Sequence, residues 1–308
     1  MATLDELSQH RNWFRGDPDL PFTPLVEAYV ADEIDLQTTV EKIVKPVNEA
    51  YSSGDGNKPP STESLLWDLW YTILWTAKKT PRTDPPSQKS QSAILNPSTP
   101  SKGHTKLLTL LETLKSQPDP PYPSNIDQST TRNWIFDDGK LWSVLSLFGP
   151  ATREILNDSP GAGNGYEDVE VAGWVNLNAF LAHVTKREIA GMEHIGIFEL
   201  RHALEQRHKD DTKGKVPVKE ARKVQTFVAA AGVWVIIMGE ELWARKGEKK
   251  GEEGEAESEV RAKGDVITKE RWKLWVEKLR FLSCRDDLDI DTRELAAQGA
   301  AILARVHT

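Results

Sequence analysis

The sequence predicts an all-α fold, an irregular bundle of about nine to eleven helices joined by long surface loops. Three observations carry that reading. Apolar residues recur three and four positions apart along most of the chain. Capping residues and prolines fall where such stretches should begin and end. Alternation at period two with β-branched enrichment, the mark of a half-buried strand, is missing over any run of five residues or more. With 308 residues, 34.6 kDa and 38% apolar content, the chain can bury a substantial core, and a single domain over 1–308 is expected.

The helices follow in order. Thr23-Pro24 reads as an N-cap with proline in the first turn, before Leu25, Val26, Tyr29 and Val30. Asp35 can cap a second helix with a face of Val40, Ile43, Val44 and Val47, in which Pro46 removes a backbone donor and should introduce a kink. Ser61 opens a helix that is apolar nearly all round, from Leu65 through Trp70 to Trp75, so it belongs between neighbours. Lys78 and Lys79 lie against the negative end of its dipole. Leu107, Leu108, Leu110, Leu111 and Leu114 make the next face, followed by Leu141, Val144, Leu145 and Phe148.

A helix beginning near Glu170 places Trp174, Leu177, Leu181 and Val184 together. Phe227–Met238 (FVAAAGVWVIIM) falls short of the roughly 20 residues needed to span a bilayer and reads as a buried central helix. Thr268 caps a helix bearing Trp272, Trp275, Val276 and Leu279, and Asp291 with Glu294 forms a capping-box pattern ahead of Leu295, Ile302, Leu303 and Val306. Two segments, 84–104 and 246–264, are read as mobile loops. The first is rich in Ser, Pro, Gln and Lys, and the second is charged and nearly free of apolar residues. The proline-dense run 117–125 should also be non-helical.

Charge and cysteine content narrow the function classes. A net charge of -8 and a pI near 5.5 argue against non-specific nucleic-acid binding, which needs a surplus of Lys and Arg on one face. No membrane span is expected. The lone Cys284 rules out an intrachain disulfide and suits a reducing compartment. A start without a basic, apolar leader points to the cytoplasm, with the nucleus as the alternative.

Candidate chemistry concentrates in the block 149–205. Glu199 and His202 have the Glu-x-x-His spacing of di-iron bundles, but no second such pair follows, so no metal and no cofactor is expected. His194 and His202 fall about 80° apart on a helix, which favours separate packing roles over zinc. Cys284 beside Arg285, Asp286 and Asp287 lacks the positive surroundings of a nucleophile and is expected to be a packed thiol. Ser159 sits in a turn-forming NDSPG run rather than a nucleophile elbow, and Gly161–Gly165 lacks both the strand and the lysine of a phosphate loop. Asn178, about 40° from Trp174, should be buried and bonded to backbone, to a tryptophan N–H, or to Arg153 or Arg201. The candidate pocket or polar network is thus Arg153, Glu154, Asp158, Trp174, Asn178, Arg201 and Glu205.

The runs LWDLWYTILWTAKKTP, LLTLLETLKSQPDPP, GPATREILNDSPG, WVNLNAFLAHV, IFELRHALE and ITKERWKLWVEKLRFLS, in that order, resemble a fungal family known only as domain-of-unknown-function family 3632. The resemblance covers about Leu65 to Ala304, with the segments at Asp84 and Lys246 looking like insertions. It implies a fungal, intracellular helical protein and supplies no catalytic residues. The function expected is a non-catalytic binding or scaffold module for a partner protein or a small apolar ligand. The alternative is a metal-independent enzyme that uses the acids and amide of the 150–205 block on a small molecule.

Overall fold

The computed structural model describes residues 2–17, 20–53, 60–84, 98–121, 140–161, 165–212, 216–245 and 266–307. Eleven α-helices and no strand occur among them, apart from one isolated bridge between Asp211 and Val218. The all-α class is therefore correct. The chain divides into two compact units, Met1–Pro81 with Ser101–Ala162, and Arg82–Pro100 with Gly163–Thr308.

The first unit contains α1 (Leu4–Arg11), α2 (Phe22–Val30), α3 (Leu36–Ser52), α4 (Thr62–Lys79), α5 (Lys102–Lys115) and α6 (Phe148–Asn157). Helix α4 is its centre and packs against α2, α3, α5 and α6. Both Asp35 and Ser61 cap as the sequence implies, accepting from the Thr38 and Ser64 amides. Trp70 is fully buried and its indole N–H donates to the Ser146 carbonyl at 2.7 Å. His104 Nε2 lies 3.0 Å from the Ala77 carbonyl, and the Lys78 ammonium sits 4.6 Å from the centre of the Trp13 ring.

The second unit contains α7 (Asp168–Lys186), α8 (Glu193–Leu204), α9 (Glu220–Ala244), α10 (Lys269–Ser283) and α11 (Ile290–His307). Helix α9 runs through its middle and packs on α7, α8 and α11, while α10 packs on α11 and α8. By length and composition α9 could cross a membrane, but 78% of its most apolar window is buried by the rest of the unit, as a core helix would be. Small residues let its neighbours come close. A Cβ added at Gly232 would lie 3.1 Å from Leu295 Cβ, and one at Gly239 would lie 2.9 Å from Ile302 Cγ2.

Several local expectations are corrected. Helix α2 is capped at Pro21 rather than Thr23, whose hydroxyl instead meets that of Thr72 at 3.0 Å. Leu141–Leu147 is a run of turns, with Leu145 and Leu147 in the left-handed region at φ 49° and 68°, and Val144 is 39% exposed. Asp119 holds these turns by accepting from the Leu141, Trp142 and Ser143 amides. The loop expected over 84–104 gives way to α5 at Lys102, capped by Ser101, because His104 is needed in the core. Helix α11 is capped by Asp289, which accepts from the Thr292 amide, so Asp291 lies two residues too late to serve. Residues 85–97 and all of 246–264 lie outside the described residues.

Candidate binding groove

The seven residues singled out from the sequence fall in both units. Arg153, Glu154 and Asp158 belong to the first, and Trp174, Asn178, Arg201 and Glu205 to the second.

In the first unit the Arg153 side chain is 80% exposed and, among the described residues, pairs with its neighbour Glu154 at 3.3 Å. Glu154 also accepts from the Asn157 amide group at 3.2 Å. Asp158, just past the end of α6, accepts from the Phe14 backbone amide at 2.8 Å, and burial raises its pKa. These three have structural partners on the surface and at a helix end.

In the second unit Asn178 is fully buried, as its position beside Trp174 predicts. Its amide nitrogen donates to the Trp174 carbonyl at 3.1 Å, and its oxygen accepts from the Trp234 indole at 2.8 Å. A helix-spaced asparagine is thereby tied across α7 to α9. Of the partners foreseen, backbone and a tryptophan N–H are the ones used.

Glu199, one turn along α8 from Gly196, is buried deeper than the Glu-x-x-His pattern suggests. Its Oε2 and the Trp174 Nε1 are both buried without a hydrogen bond. Burial pushes the Glu199 carboxyl up to about 8, with the nearby Trp174 N–H opposing the rise, so the group is held protonated at neutral pH. His202 moves the other way. Burial, aided by His208, pulls it down to about 4, and its ring lies 3.9 Å from that of Phe227, so it is neutral. No group of three or more His, Cys, Asp or Glu side chains able to hold a metal occurs among the described residues.

A groove of about 960 Å³ opens where the C-terminal end of α8, the first turns of α9 and one face of α10 converge. Glu205 from the sequence-derived set lines it. Both carboxylate oxygens of Glu205 are engaged by Arg271, Nε at 2.5 Å from Oε1 and an Nη at 3.0 Å from Oε2, and Oε1 also accepts from the Trp275 indole at 2.8 Å. Hydrogen bonds and the neighbouring charge hold Glu205 below the usual carboxylate range despite its partial burial. A second fork, Arg285 to Glu220 at 3.0 and 2.7 Å, closes the same wall, and Arg285 is fixed in turn by Asp287. Planar two-point pairs of this kind fix both partners.

The other wall of the groove comes from α10. Trp272, Trp275, Val276, Leu279 and Leu282 face inward, which leaves Leu274 39% exposed and Phe281 64% exposed on the groove side. They lie off the buried face by one residue, and that offset is the sequence signal that could have found them. Arg207 and Lys278 line the groove too, both exposed and neither in an ion pair among the described residues. Cys284, expected to pack, is exposed at the C-cap of α10, because the helix ends there and the chain turns away from the core.

Comparison with curated proteins and with solved structures gave no match. A family model described as "Protein of unknown function (DUF3632)" matches residues 70–279, from the middle of α4 to the middle of α10, and takes in Glu205, Arg271 and Lys278 of the groove. With two thirds of its length accounted for in this way, the chain belongs to the DUF3632 family.

Proposed function

We propose that the chain is a non-catalytic binding module whose groove between α8 and α10 receives a segment of a partner protein. The observation that carries this reading is the pair Leu274 and Phe281, large apolar side chains left exposed on a groove whose two best-placed carboxylates are locked by arginine. A general acid or base has to present a free proton site to a substrate. Glu205 and Glu220 are committed to their forks, and the carboxyls with strongly raised pKa among the described residues, Glu199 and Asp68, are buried and do not line the groove. A small apolar ligand is a poorer fit than a polypeptide, since such sites enclose their ligand in mostly apolar walls and this groove is open with a charged lining. The lone, exposed thiol supports a reducing compartment, cytosol or nucleus, as the place where the module works.

Photo-crosslinking tests the reading. A photoreactive phenylalanine analogue at position 281 should capture a protein that the same analogue at exposed Phe14, in the first unit, does not. That protein, purified, should bind the chain and lose about ten-fold or more in affinity for the Leu274→Glu, Phe281→Glu variant. Equal binding to the variant, or capture with no preference for position 281, overturns the proposal.

A further inference from the structure

We infer that residues 3–17 form a strap across α4 that acid holds shut and that loosens as Asp68 ionises. Helices α2, α3, α5 and α6 each pack closely on another helix of the first unit, but α1 packs in this way on none. Side chains hold the strap instead. Thr3 and Glu6 cap α1, and Asn12 ends it in the left-handed region at φ 52°. The chain then follows α4 back towards its start. Asp5 accepts from the Trp75 indole at 2.8 Å, the Phe14 ring stacks on Tyr71 at 5.3 Å, and the Asp17 amide donates to Asp68 Oδ1 at 2.9 Å. Among the described residues no backbone–backbone hydrogen bond ties 3–17 to another helix, so the strap can lift while α4 stays packed.

The contact at Asp68 is chemically incomplete. Its Oδ1 has the Asp17 amide, but its Oδ2 is buried with no partner among the described residues. Gly16 brings the strap backbone down on α4 one turn away, where a Cβ would run into the hydroxyls of Thr72 and Thr23. A carboxylate shut in with one donor for two oxygens costs more than a neutral carboxyl. Burial, reinforced by the negative charge of Asp17, accordingly raises Asp68 to about 6. Helix α2 meets this stretch through the uncharged Thr23, Glu154 and Asp158 on the α6 side act on Tyr71, and α3 and α5 bring no charge that shifts Asp68. With the strap lifted, Asp68 meets water and returns to the ordinary carboxylate range, about 4. Closing the strap therefore takes up a proton between those two values. The closed form is favoured most at low pH, loses ground as pH rises through about 6, and levels off above. From pH 5 to 7 the open-to-closed ratio should rise about ten-fold, baring Trp75 and Tyr71 of α4.

Hydrogen exchange on the full-length chain at pH 5, 6 and 7, with the intrinsic pH dependence of exchange divided out, tests the strap. Amides of residues 5–17 should be less protected than those of α4 at every pH, and their protection should fall about ten-fold from pH 5 to pH 7. Asp68→Asn keeps an acceptor for the Asp17 amide and cannot ionise, so its strap should show the same protection at all three values, with an unchanged circular dichroism spectrum. A second measurement does not depend on that variant folding. Carboxyl carbon resonances should titrate Asp68 with a midpoint near 6 in the wild type and nearer 4 in Gly16→Leu, whose side chain holds the strap off α4. Strap amides protected as strongly as those of α4 would mean that the segment opens only with the whole unit, and that overturns the inference. So does protection that is equal at pH 5 and pH 7 in the wild type, a fall of the same size in Asp68→Asn, or an Asp68 midpoint that Gly16→Leu leaves in place.

Discussion

Both units are organised around a helix that water hardly reaches, yet α4 and α9 are buried by different means. Helix α4 keeps polar side chains on its own surface: Asp68, Thr72, Thr76 and Lys78 are all buried. Its surroundings include turns as well as helices, and hydrogen bonds such as Trp70 to Ser146 and the Asp17 amide to Asp68 fix them in place. Helix α9 instead has an unbroken buried run from Thr226 to Gly239 in which a block of small residues, Ala229, Ala230, Ala231 and Gly232, sits between large ones. Its neighbours are helices that approach closely, and buried polar groups sit on them, Asn178 on α7 and Glu199 on α8. A helix bordered in part by turns needs directed bonds because turns leave backbone groups to satisfy. A helix ringed by helices needs shape, because their backbones are already satisfied and only packing selects one arrangement.

The largest effect should therefore follow from spoiling shape in the second unit. A Cβ at Gly196 would lie 2.6 and 2.8 Å from Cε3 and Cδ2 of Trp234, a ring that is fully buried and held through its N–H by Asn178. The ring cannot retreat without breaking that bond. Gly196→Ala should cost about 1–3 kcal/mol by overpacking, even though alanine favours helix, as read by denaturant unfolding. Hydrogen exchange should show the loss in α8 and α9. Unchanged stability would mean that α8 and α9 adjust freely and that shape is not what specifies the unit.

A smaller effect separates the units by pH. Glu199 in the second unit is pushed up to about 8 and Asp68 in the first to about 6, in both cases chiefly by burial. In the unfolded chain both ionise near the ordinary carboxylate range, about 4. Between there and the folded pKa the unfolded state binds fewer protons, so each group's contribution to stability falls as pH rises and levels off above its folded pKa. For Glu199 the decline spans about pH 4 to 8, and for Asp68 it ends near 6. Glu199→Gln should remove a slope that persists through neutrality, so the variant gains on the wild type steadily from pH 5 to about 8. A constant difference between the two proteins over that range would show that Glu199 ionises normally in the folded state.

Much of this architecture was legible in the sequence, because the packing of α4, α7, α9 and α10 writes itself as a helical period and because Asp35, Ser61 and Thr268 announce helix starts. Helix α1 went unread although Thr3 and Glu6 form a capping box, since eight residues give too few repeats to show a face. The turns at Leu141–Leu147 misled for the opposite reason. Leucines spaced as on a helix are buried there by backbone bends that depend on Asp119, more than twenty positions earlier in the chain. The buried Asn178 follows from periodicity alone. Of the groove only Glu205 was singled out in the sequence, because the forks of Glu205 with Arg271 and Glu220 with Arg285 join residues about 65 positions apart, and no local pattern encodes such pairings.

The smallest effect tests whether the first unit is as tolerant of shape as its bonding implies. Gly149 stands in the first turn of α6, and a Cβ added there would meet nothing within 4 Å. Its φ is not in the positive range that favours glycine, so alanine can adopt the same backbone. Replacement then acts mostly on the unfolded chain, which loses conformational freedom that glycine would have kept. Gly149→Ala should stabilise by about 0.4–1 kcal/mol, opposite in sign to Gly196→Ala and smaller in size. Both measurements use the same substitution within a helix, so propensity is common to the pair and the difference between them isolates packing. A loss of stability at Gly149 comparable to that at Gly196 would place a close neighbour there and remove the contrast between the two units.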